Sequence, residues 1–297
     1  MNNPTHAFLV EGSGNEHILK QMMSLFSTQE FHFIVHWDRK SANQPDFSKF
    51  SNVTIIPSMS VFWGTDTQVL TEKKLFQTAL NMFPDVKWVH LISESDVPLM
   101  SPSYFLNYFN YKMNSDVEFD GEANAYRDRI KYWMPIRKLN FKNSYMGLLL
   151  HRSVKAFNMI LKVNRLKKIK FPIYKGSNWV SLTNADLKKV VGFKNFEMFL
   201  HSSLADEVYV QTILGNDHLL KRESEKLVDN RYLLLGHRYI DWIRGEPYQF
   251  QDNDIAELMN LINGTYSFAR KVKSNDVAKK LIEKLAELEY SNNCIKG

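Results

Sequence analysis

The first half of the chain alternates short apolar segments with segments whose apolar residues recur every three or four positions. This alternation is typical of an α/β fold, in which the strands of one sheet are flanked by helices. Strands are predicted over residues 6–11, 31–37, 53–56 and 88–92, and helices over residues 18–26 and 67–83. A further helix is predicted after Ser101, which would cap it, with Pro102 at the first position, where proline is tolerated.

The second half of the chain has a weaker pattern. Residues 116–136 are polar and aromatic, which indicates a loop-rich region over a site. A strand is predicted over residues 176–182 and a helix over residues 205–214. A last helix, capped by Ser274, has four apolar residues on one face, namely Val277, Leu281, Leu285 and Leu288. Because neither a repeat nor a long linker interrupts the pattern, we expect a single domain over residues 1–297.

The composition narrows the class of protein. With 44% apolar and 13% aromatic residues in 297, the chain can bury a large core, which excludes a disordered or fibrous protein. No apolar run approaches the ~18 residues that span a bilayer, and the first residues lack a signal-peptide pattern. The single cysteine, Cys294, excludes an internal disulfide framework and a cysteine-built metal site. We therefore expect a cytoplasmic protein.

The charge balance favours anionic partners. The chain has 38 lysines and arginines against 32 acidic residues, a net charge of +6. Two clusters contribute to the excess, one over residues 162–170 and one over residues 270–284. Each can be a solvated surface, and the first can equally contact lipid phosphates at the inner face of a membrane or a lipid-linked acceptor. No nucleic-acid-binding motif accompanies them, so nucleic acid is not an expected partner, although it stays an alternative for the first cluster.

Acidic residues follow two of the predicted strands. Asp38 comes directly after the second strand, and Glu94 and Asp96 come after the fourth. Ligands of open α/β sheets bind beyond the carboxyl ends of the strands, where a carboxylate can accept ribose hydroxyls or hold a metal ion. Glu94 and Asp96 resemble the acid pair with which sugar-nucleotide enzymes hold Mn²⁺ or Mg²⁺. The alternative is that each acid only caps a turn.

Asp206 and Glu207 begin a predicted amphipathic helix, which makes this pair a candidate for general-base work. A carboxylate in the first turn of a helix is held rigidly, and the neighbouring aromatic residues can exclude water from it. The alternative is that both acids only complement the helix dipole.

Two adjacent cations and two tryptophans complete the candidate chemistry. Arg270 and Lys271 precede the last helix and could neutralise a diphosphate leaving group without a metal ion. Trp63 and Trp242 could stack on a uracil or sugar ring, although core packing is the ordinary role of tryptophan. The sequence has no G-x-S-x-G, no phosphate-binding G-x-x-x-x-G-K-[ST] and no H-E-x-x-H motif, which argues against three other classes of enzyme.

Seven segments, read in order, resemble one enzyme family. They are VHWDRKS (35–41), VFWGTDTQV (61–69), WVHLISESDVPLMS (88–101), GSNWVSL (176–182), DEVYVQTIL (206–214), RYIDW (238–242) and FARK (268–271). Together they resemble the Core-2/I-branching glycosyltransferases, family 14, which also contains peptide O-xylosyltransferases. The resemblance runs from the first predicted strand to the last predicted helix.

This resemblance implies a GT-A fold, with a Rossmann-like nucleotide-binding sheet and a loop-rich acceptor side. Residues 1–112 would be the nucleotide-binding half, and residues 113–297 the acceptor-binding and catalytic half. The implied reaction is an inverting transfer from a UDP-sugar, typically UDP-N-acetylglucosamine, to a hydroxyl of a glycan or lipid-linked glycan, as in polysaccharide biosynthesis. No cofactor is required by the resemblance, although the acid pair leaves Mn²⁺ or Mg²⁺ open.

The resemblance also assigns residues to roles. Glu207 falls on the family's base, Asp38 on a uridine contact, Trp63 on a nucleotide-stacking aromatic and Lys271 on the diphosphate-binding lysine. Glu118, Arg129 and Trp242 fall on acceptor-binding positions. From their places in the sequence we add Arg270 and Asp96 to the predicted donor site.

Three positions depart from the family pattern. No arginine stands at the position, close to Tyr248, where the branching enzymes have a second diphosphate ligand, so either Arg270 or Arg244 replaces it or phosphate binding is weaker. Lys273 stands where the family has an aspartate, and Glu94 stands where it often has a small residue. These departures motivate an alternative, a catalytically inactive protein that binds glycans or nucleotides on the same fold.

Overall fold

The computed structural model describes residues 3–121, 123–139, 145–215 and 236–296, with the backbone alone for residues 292–296. In this part of the chain the strands are β1 (His6–Gly12), β2 (Phe31–Trp37), β3 (Val53–Ile55), β4 (Trp88–Ser93), β5 (Val97–Pro98), β6 (Ser181–Thr183), β7 (Arg238–Ile240) and β8 (Phe268–Arg270). The helices are α1 (Glu16–Leu25), α2 (Asp66–Met82), α3 (Pro102–Asn110), α4 (Asp128–Lys131), α5 (Tyr145–Ile160), α6 (Asn184–Val191), α7 (Asp206–Leu214), α8 (Ile255–Met259) and α9 (Asn275–Lys296).

The central sheet has five strands in the order β3-β2-β1-β4-β6. The first four strands run parallel, and β6 is antiparallel to β4. β1 is buried on both faces, as expected of a central parallel strand. Its alternate residues Phe8 and Val10 pack in the cluster with α1 and α3, whereas Ala7 and Leu9 pack in the cluster with α2, α6 and α7.

A second, three-stranded sheet in the order β5-β8-β7 joins distant parts of the chain. β5 follows β4 after three residues and pairs antiparallel with β8, so that Val97 lies opposite Ala269. β7 pairs parallel with β8. This pairing brings the residues after β4 next to the Phe268–Arg270 segment, which is about 170 residues away in the sequence.

The expected α/β fold is confirmed as a mixed central sheet flanked by helices. The predicted strands and helices of the first half lie within two residues of their observed bounds, and α7 and α9 are also where the pattern placed them. None of the described helices is long and apolar enough to cross a membrane. Within the described residues, the second half contributes β6 to the central sheet, and the first half contributes β5 to the second sheet.

Three predictions about local structure need correction. The strand predicted over residues 176–182 is reduced to Ser181–Thr183, because Gly176 bonds instead to the first turn of α7. Ser101 precedes Pro102 at the start of α3, but its buried hydroxyl makes no capping hydrogen bond. Helices α4, α5, α6 and α8 and strands β5, β7 and β8 were not predicted.

Candidate active site

Glu207 lies in the first turn of α7 and is held by two cations. Its Oε2 atom accepts a hydrogen bond from Arg129 Nη1 at 2.6 Å, and Lys175 Nζ lies 3.9 Å from the same oxygen. The side chain is 31% exposed. Among the described residues none donates a hydrogen bond to Oε1. One oxygen of the carboxylate is therefore oriented by Arg129 while the other is available to a ligand.

The segment before α7 has an unusual backbone that sets the position of this carboxylate. His201 and Leu204 have φ angles of 49° and 50°, a left-handed conformation that costs a residue with a side chain on the order of 1–3 kcal/mol. Hydrogen bonds compensate for this cost. Leu204 N donates to Gly64 O at 2.9 Å, and Arg129 Nη1 donates to Leu204 O at 3.2 Å. The loop that contains Trp63, the Arg129 side chain and the start of α7 are thus tied together.

Gly176 allows a close approach of three segments around Glu207. Its N–H donates to Glu207 O at 2.9 Å. A Cβ atom at this position would lie 1.8 Å from Glu118 O, a distance that no side chain can tolerate. The glycine of the predicted GSNWVSL strand therefore serves the packing of Glu118 against α7.

Glu118 and its neighbours form the predicted acceptor side. The Glu118 side chain is buried, and burial, opposed by the Lys175 charge, raises its pKa to about 7. Lys175 also forms an ion pair with Asp120. Tyr126 carries both cations on its ring, with Arg129 at 5.2 Å and Lys175 at 4.9 Å from the centroid.

The structure thus brings Glu207, Glu118 and Arg129 into one cluster, as the resemblance implies. Trp242, the third predicted acceptor residue, is half-exposed in the turn after β7. No contact joins it to this cluster among the described residues.

The carboxyl groups of Asp206 and Glu72 are buried near Glu207, and the part-buried Glu11 lies beside them. Asp206 accepts a hydrogen bond from Gln68 Nε2 at 3.2 Å, and Glu72 accepts one from Asn178 at 3.1 Å. The second oxygens of both, and Oε1 of Glu11, are buried without a hydrogen-bond partner. Burial is the main cause that raises the pKa of Asp206 to about 7 and that of Glu11 to about 8. Glu11 interacts electrostatically with Asp206 and also with Arg270 and Glu94, so it connects the residue next to Glu207 to the predicted donor side.

Arg270 is locked to the acid that follows β4. Its Nη1 atom donates to Asp96 Oδ2 at 2.9 Å and to Ser93 Oγ at 2.6 Å, and its guanidinium stacks on the Trp179 ring at 3.8 Å. Ser93 N and Oγ also donate to the same Asp96 oxygen, at 2.5 and 2.7 Å. Asp96 therefore contacts Arg270 and its own turn through this oxygen.

Lys271 is the less constrained of the two predicted cations. Among the described residues it has no ion-pair partner within 4 Å, and burial together with Arg270 and Lys273 lowers the pKa of its ammonium group. Glu94 interacts electrostatically with both Arg270 and Lys271. Its Oε1 atom lies close to Gly14, since a Cβ atom on that glycine would be only 2.8 Å from it. A cation with no carboxylate within ion-pair distance is suited to bind an anionic ligand.

The predicted nucleoside contacts lie after β2 and before α2. Asp38 is buried and accepts hydrogen bonds from Lys40 N at 2.9 Å and Val61 N at 3.2 Å. It therefore stabilises the turn after β2 and the segment at Val61, which agrees with the alternative that this acid caps a turn. Trp63 is half-exposed beside Gly64, whose positive φ of 77° turns the loop toward α7.

Two further arrangements of donors concern ligand-binding options that the sequence left open. The described residues contain no group of three or more His, Cys, Asp or Glu side chains that could hold a metal ion, and Asp96 already carries a guanidinium beside Glu94. Arg244 pairs with Asp241, with Asp254 at 3.0 Å and with Glu257 at 2.7 Å, so its charge is compensated. Arg244 is therefore not available to replace the arginine missing near Tyr248.

Sequence reasoning missed several residues that shape this site. Lys175 and Tyr126 lie in the irregular region and carry no motif, and Glu72 lies on a helix where acids are ordinary. Glu11 had one signal, because a carboxyl at the end of a buried central strand needs a reason.

Comparisons with known proteins show what this chain is similar to. The family model "Core-2/I-Branching enzyme" matches residues 6–260, a range that ends before β8 and Lys271. A search of curated proteins finds no match. The chain is similar to the crystal structure of mouse xyloside xylosyltransferase 1 in its apo form, with a TM-score of 0.35, 10% identity and coverage of 90% of this chain and 97% of that chain. The mixed central sheet agrees with the GT-A fold expected of the family. Because the family model covers most of the chain, the protein belongs to the Core-2/I-branching enzyme family and is a glycosyltransferase.

Proposed function

We propose that the protein transfers a sugar, N-acetylglucosamine in the first instance, from a UDP-sugar to a hydroxyl of a glycan acceptor with inversion. The observation that carries this proposal is Glu207, a part-exposed carboxylate with one oxygen held by Arg129 and the other without a donor among the described residues. Inversion needs one base that takes the proton of the acceptor hydroxyl while the nucleotide leaves from the opposite face. Glu207 has the position and the chemistry for this task.

As UDP leaves, negative charge develops on its diphosphate, and the site must supply positive charge at that place. In our proposal Lys271 makes the direct contact, because it has no carboxylate partner among the described residues. Arg270 contributes its charge from a fixed position against Asp96 and Trp179. Asp38 and Trp63 hold the nucleoside, the first through its carboxylate and the second through its half-exposed ring.

The acceptor is proposed to bind between Glu118 and Arg129, with Trp242 as a surface for a sugar ring. With a pKa of about 7, Glu118 is part protonated near neutral pH, so it can donate or accept a hydrogen bond with a sugar hydroxyl. Arg129 would hold Glu207 toward the attacking hydroxyl.

We propose that no metal ion is required for this reaction. The support is that Arg270 already places a positive charge against Asp96 Oδ2. The alternative is that Mn²⁺ or Mg²⁺ binds Glu94 and Asp96 when the nucleotide is present. Thermal melting with UDP, with and without Mn²⁺ and EDTA, tests both, because a ligand that binds the folded state raises its melting temperature. An effect of UDP that disappears in EDTA would contradict metal independence.

The proposed activity is tested by incubating the protein with a panel of UDP-sugars, alone and with glycan acceptors, and measuring release of UDP. We expect the largest release with UDP-N-acetylglucosamine, and a β-linked product from the α-linked donor, detected by NMR of the anomeric proton. UDP-xylose and UDP-hexoses belong in the panel because the donor sugar is a proposal. A product that keeps the α configuration would contradict the inverting mechanism.

One observation favours a second candidate, a protein that binds nucleotides or glycans without turnover. The position near Tyr248 has no arginine, and Arg244 is fully paired, so the diphosphate site has fewer cations than the resemblance implies. This candidate predicts that UDP raises the melting temperature while no UDP-sugar is consumed. Hydrolysis or transfer with any donor in the panel excludes it.

A further inference from the structure

Helix α5 presents an apolar face to solvent. Its exposed apolar side chains, which we call the α5 outer face, are Tyr145, Met146, Leu148, Leu149, Leu150, Phe157, Met159 and Ile160. At 100° per residue they spread over about 200° of the helix surface, and the middle of this range lies opposite the buried Gly147 and Asn158. The exposed fraction reaches 82% for Tyr145 and 75% for Ile160. Isolated apolar residues on a surface are ordinary, but a contiguous face of this size indicates an interaction site.

Polar contacts fix the opposite side of the helix to the protein body. The Asn158 amide accepts from Trp133 N and donates to Trp133 O, both at 2.9 Å, and Lys155 Nζ lies 3.3 Å from Asp128 Oδ2. The side of α5 that faces the body is therefore held by a polar anchor. The outer face is left for another partner. Trp133 lies beside this anchor and is 49% exposed.

The segment of sequence that contains α5 carries charges of one sign. Residues 129–185 contain thirteen of the 38 lysines and arginines and none of the 32 acidic residues, so the rest of the chain has a net charge of −7. Arg152 lies in α5, and Lys162, Lys167, Lys168 and Lys170 follow it as exposed side chains. The net positive charge of the protein is thus confined to the region that carries the apolar face.

From these observations we propose that the α5 outer face docks onto a lipid bilayer that contains anionic headgroups. The apolar side chains would enter the boundary of the acyl chains with the helix lying in the plane of the membrane, and the lysines would meet the lipid phosphates. Trp133, amphipathic and half-exposed, suits the level of the headgroups. A second copy of the chain is the less favourable partner, because joining two such faces would bring two basic regions together.

The docked orientation would place the acceptor side of the enzyme near the membrane. Asp128 pairs with Lys155 of α5, and the next residue, Arg129, pairs with Glu207. If the proposed function holds, the acceptor hydroxyl belongs to a glycan carried by a lipid. This consequence rests on the proposed function, whereas membrane docking does not, so binding is measured without turnover.

The test is flotation of the full-length protein with two kinds of vesicle, phosphatidylcholine alone and phosphatidylcholine mixed with phosphatidylglycerol. We expect binding to the mixed vesicles that weakens with added salt, and little binding to phosphatidylcholine. The double variant Leu149→Gln, Ile160→Gln should lose about tenfold or more of the affinity. Lys167→Gln combined with Lys168→Gln should reduce binding to the mixed vesicles severalfold and make it less sensitive to salt.

A matched control is Met113→Gln, which replaces an apolar side chain that is 89% exposed in another part of the protein. It should bind vesicles as the wild type does. Circular dichroism and the melting temperature of each variant verify that the fold is kept. The proposal is overturned if the wild type does not float with the mixed vesicles or if the α5 double variant binds equally well. A dimer in solution that the double variant dissociates would also overturn it and would identify a second copy as the partner.

Discussion

The predicted donor side and acceptor side of the site are built in different ways. On the donor side, Asp96 directly precedes β5 and Arg270 ends β8, the strand that pairs with β5, and their side chains lie 2.9 Å apart. On the acceptor side, Glu207 and Glu118 are positioned by loops, by two residues with positive φ and by one glycine. The donor side therefore depends on regular secondary structure, whereas the acceptor side depends on a few residues whose backbone conformation or close packing does not tolerate substitution.

The largest effect expected from this comparison is the loss of Lys271 on the donor side. Lys271→Ala should weaken UDP binding and lower kcat/KM by about a hundredfold, because the diphosphate loses its direct cation. Lys273→Ala removes a neighbouring exposed cation and serves as the control, with little expected change. Isothermal titration with UDP and steady-state kinetics give both values. An unchanged affinity for UDP in Lys271→Ala would refute the phosphate role.

On the acceptor side the corresponding test adds a single methyl group at Gly176. Gly176→Ala should lower the free energy of unfolding by about 3 kcal/mol, because the new Cβ would overlap Glu118 O. The control is Gly236→Ala, whose Cβ would lie 3.4 Å from Trp179 O in ordinary contact and should change stability by no more than about 0.5 kcal/mol. Urea unfolding measures both. Equal stability of the two variants would show that the acceptor side is less constrained than we describe.

Arg129→Ala tests whether the base needs its orienting partner. We expect kcat to fall about tenfold while the affinity for UDP stays the same, because Arg129 holds Glu207 and not the nucleotide. Arg129→Lys should restore part of the rate, since Arg129 Nη1 alone bonds both Glu207 and Leu204 O and a lysine ammonium keeps the charge and has enough donors for both. A parallel loss of UDP binding would argue that Arg129 belongs to the donor side.

The smallest expected effect concerns the pH dependence of stability. Burial, followed by the Glu207 charge, raises the pKa of Asp206 to about 7, against 3.8 ordinarily. Between these values the unfolded chain binds fewer protons at this position than the folded one, so stability falls as pH rises through the window, by at most about 1.4 kcal/mol per pH unit. Asp206→Asn should flatten the decline in melting temperature between pH 4 and pH 7. Asp276→Asn, which changes an exposed side chain of α9, should leave the decline unchanged. A wild-type melting temperature that rises across this range, with no difference in Asp206→Asn, would contradict the assignment.

The donor side could be predicted from the sequence because its information is local. Apolar alternation defines β1, β2 and β4, and acids at strand ends such as Asp38 and Asp96 lie where a parallel sheet places its ligands. What the sequence could not show was that Asp96 would bind Arg270, since this contact depends on the pairing of β5 with β8 across the length of the chain.

The acceptor side was less predictable because its contacts are long-range and irregular. The resemblance named Glu118 and Arg129, but the apolar pattern around Gly176 indicated a strand where the backbone instead reaches Glu207. Lys175 and Tyr126 had no sequence signal, because their roles follow from the loops that bring them together. The apolar positions of α5 also carry no signal of exposure, since the same residues would suit a buried helix.

The central claim is that Glu207 removes the proton from the acceptor hydroxyl, and the most direct measurement is the turnover of Glu207→Gln beside its affinity for UDP. Glutamine keeps the size of the side chain and a hydrogen bond to Arg129 but cannot accept the proton. We predict a kcat lowered about a hundredfold or more with the Kd for UDP unchanged, while Glu197→Gln, an exposed control, keeps full activity. Wild-type turnover in Glu207→Gln would contradict the account.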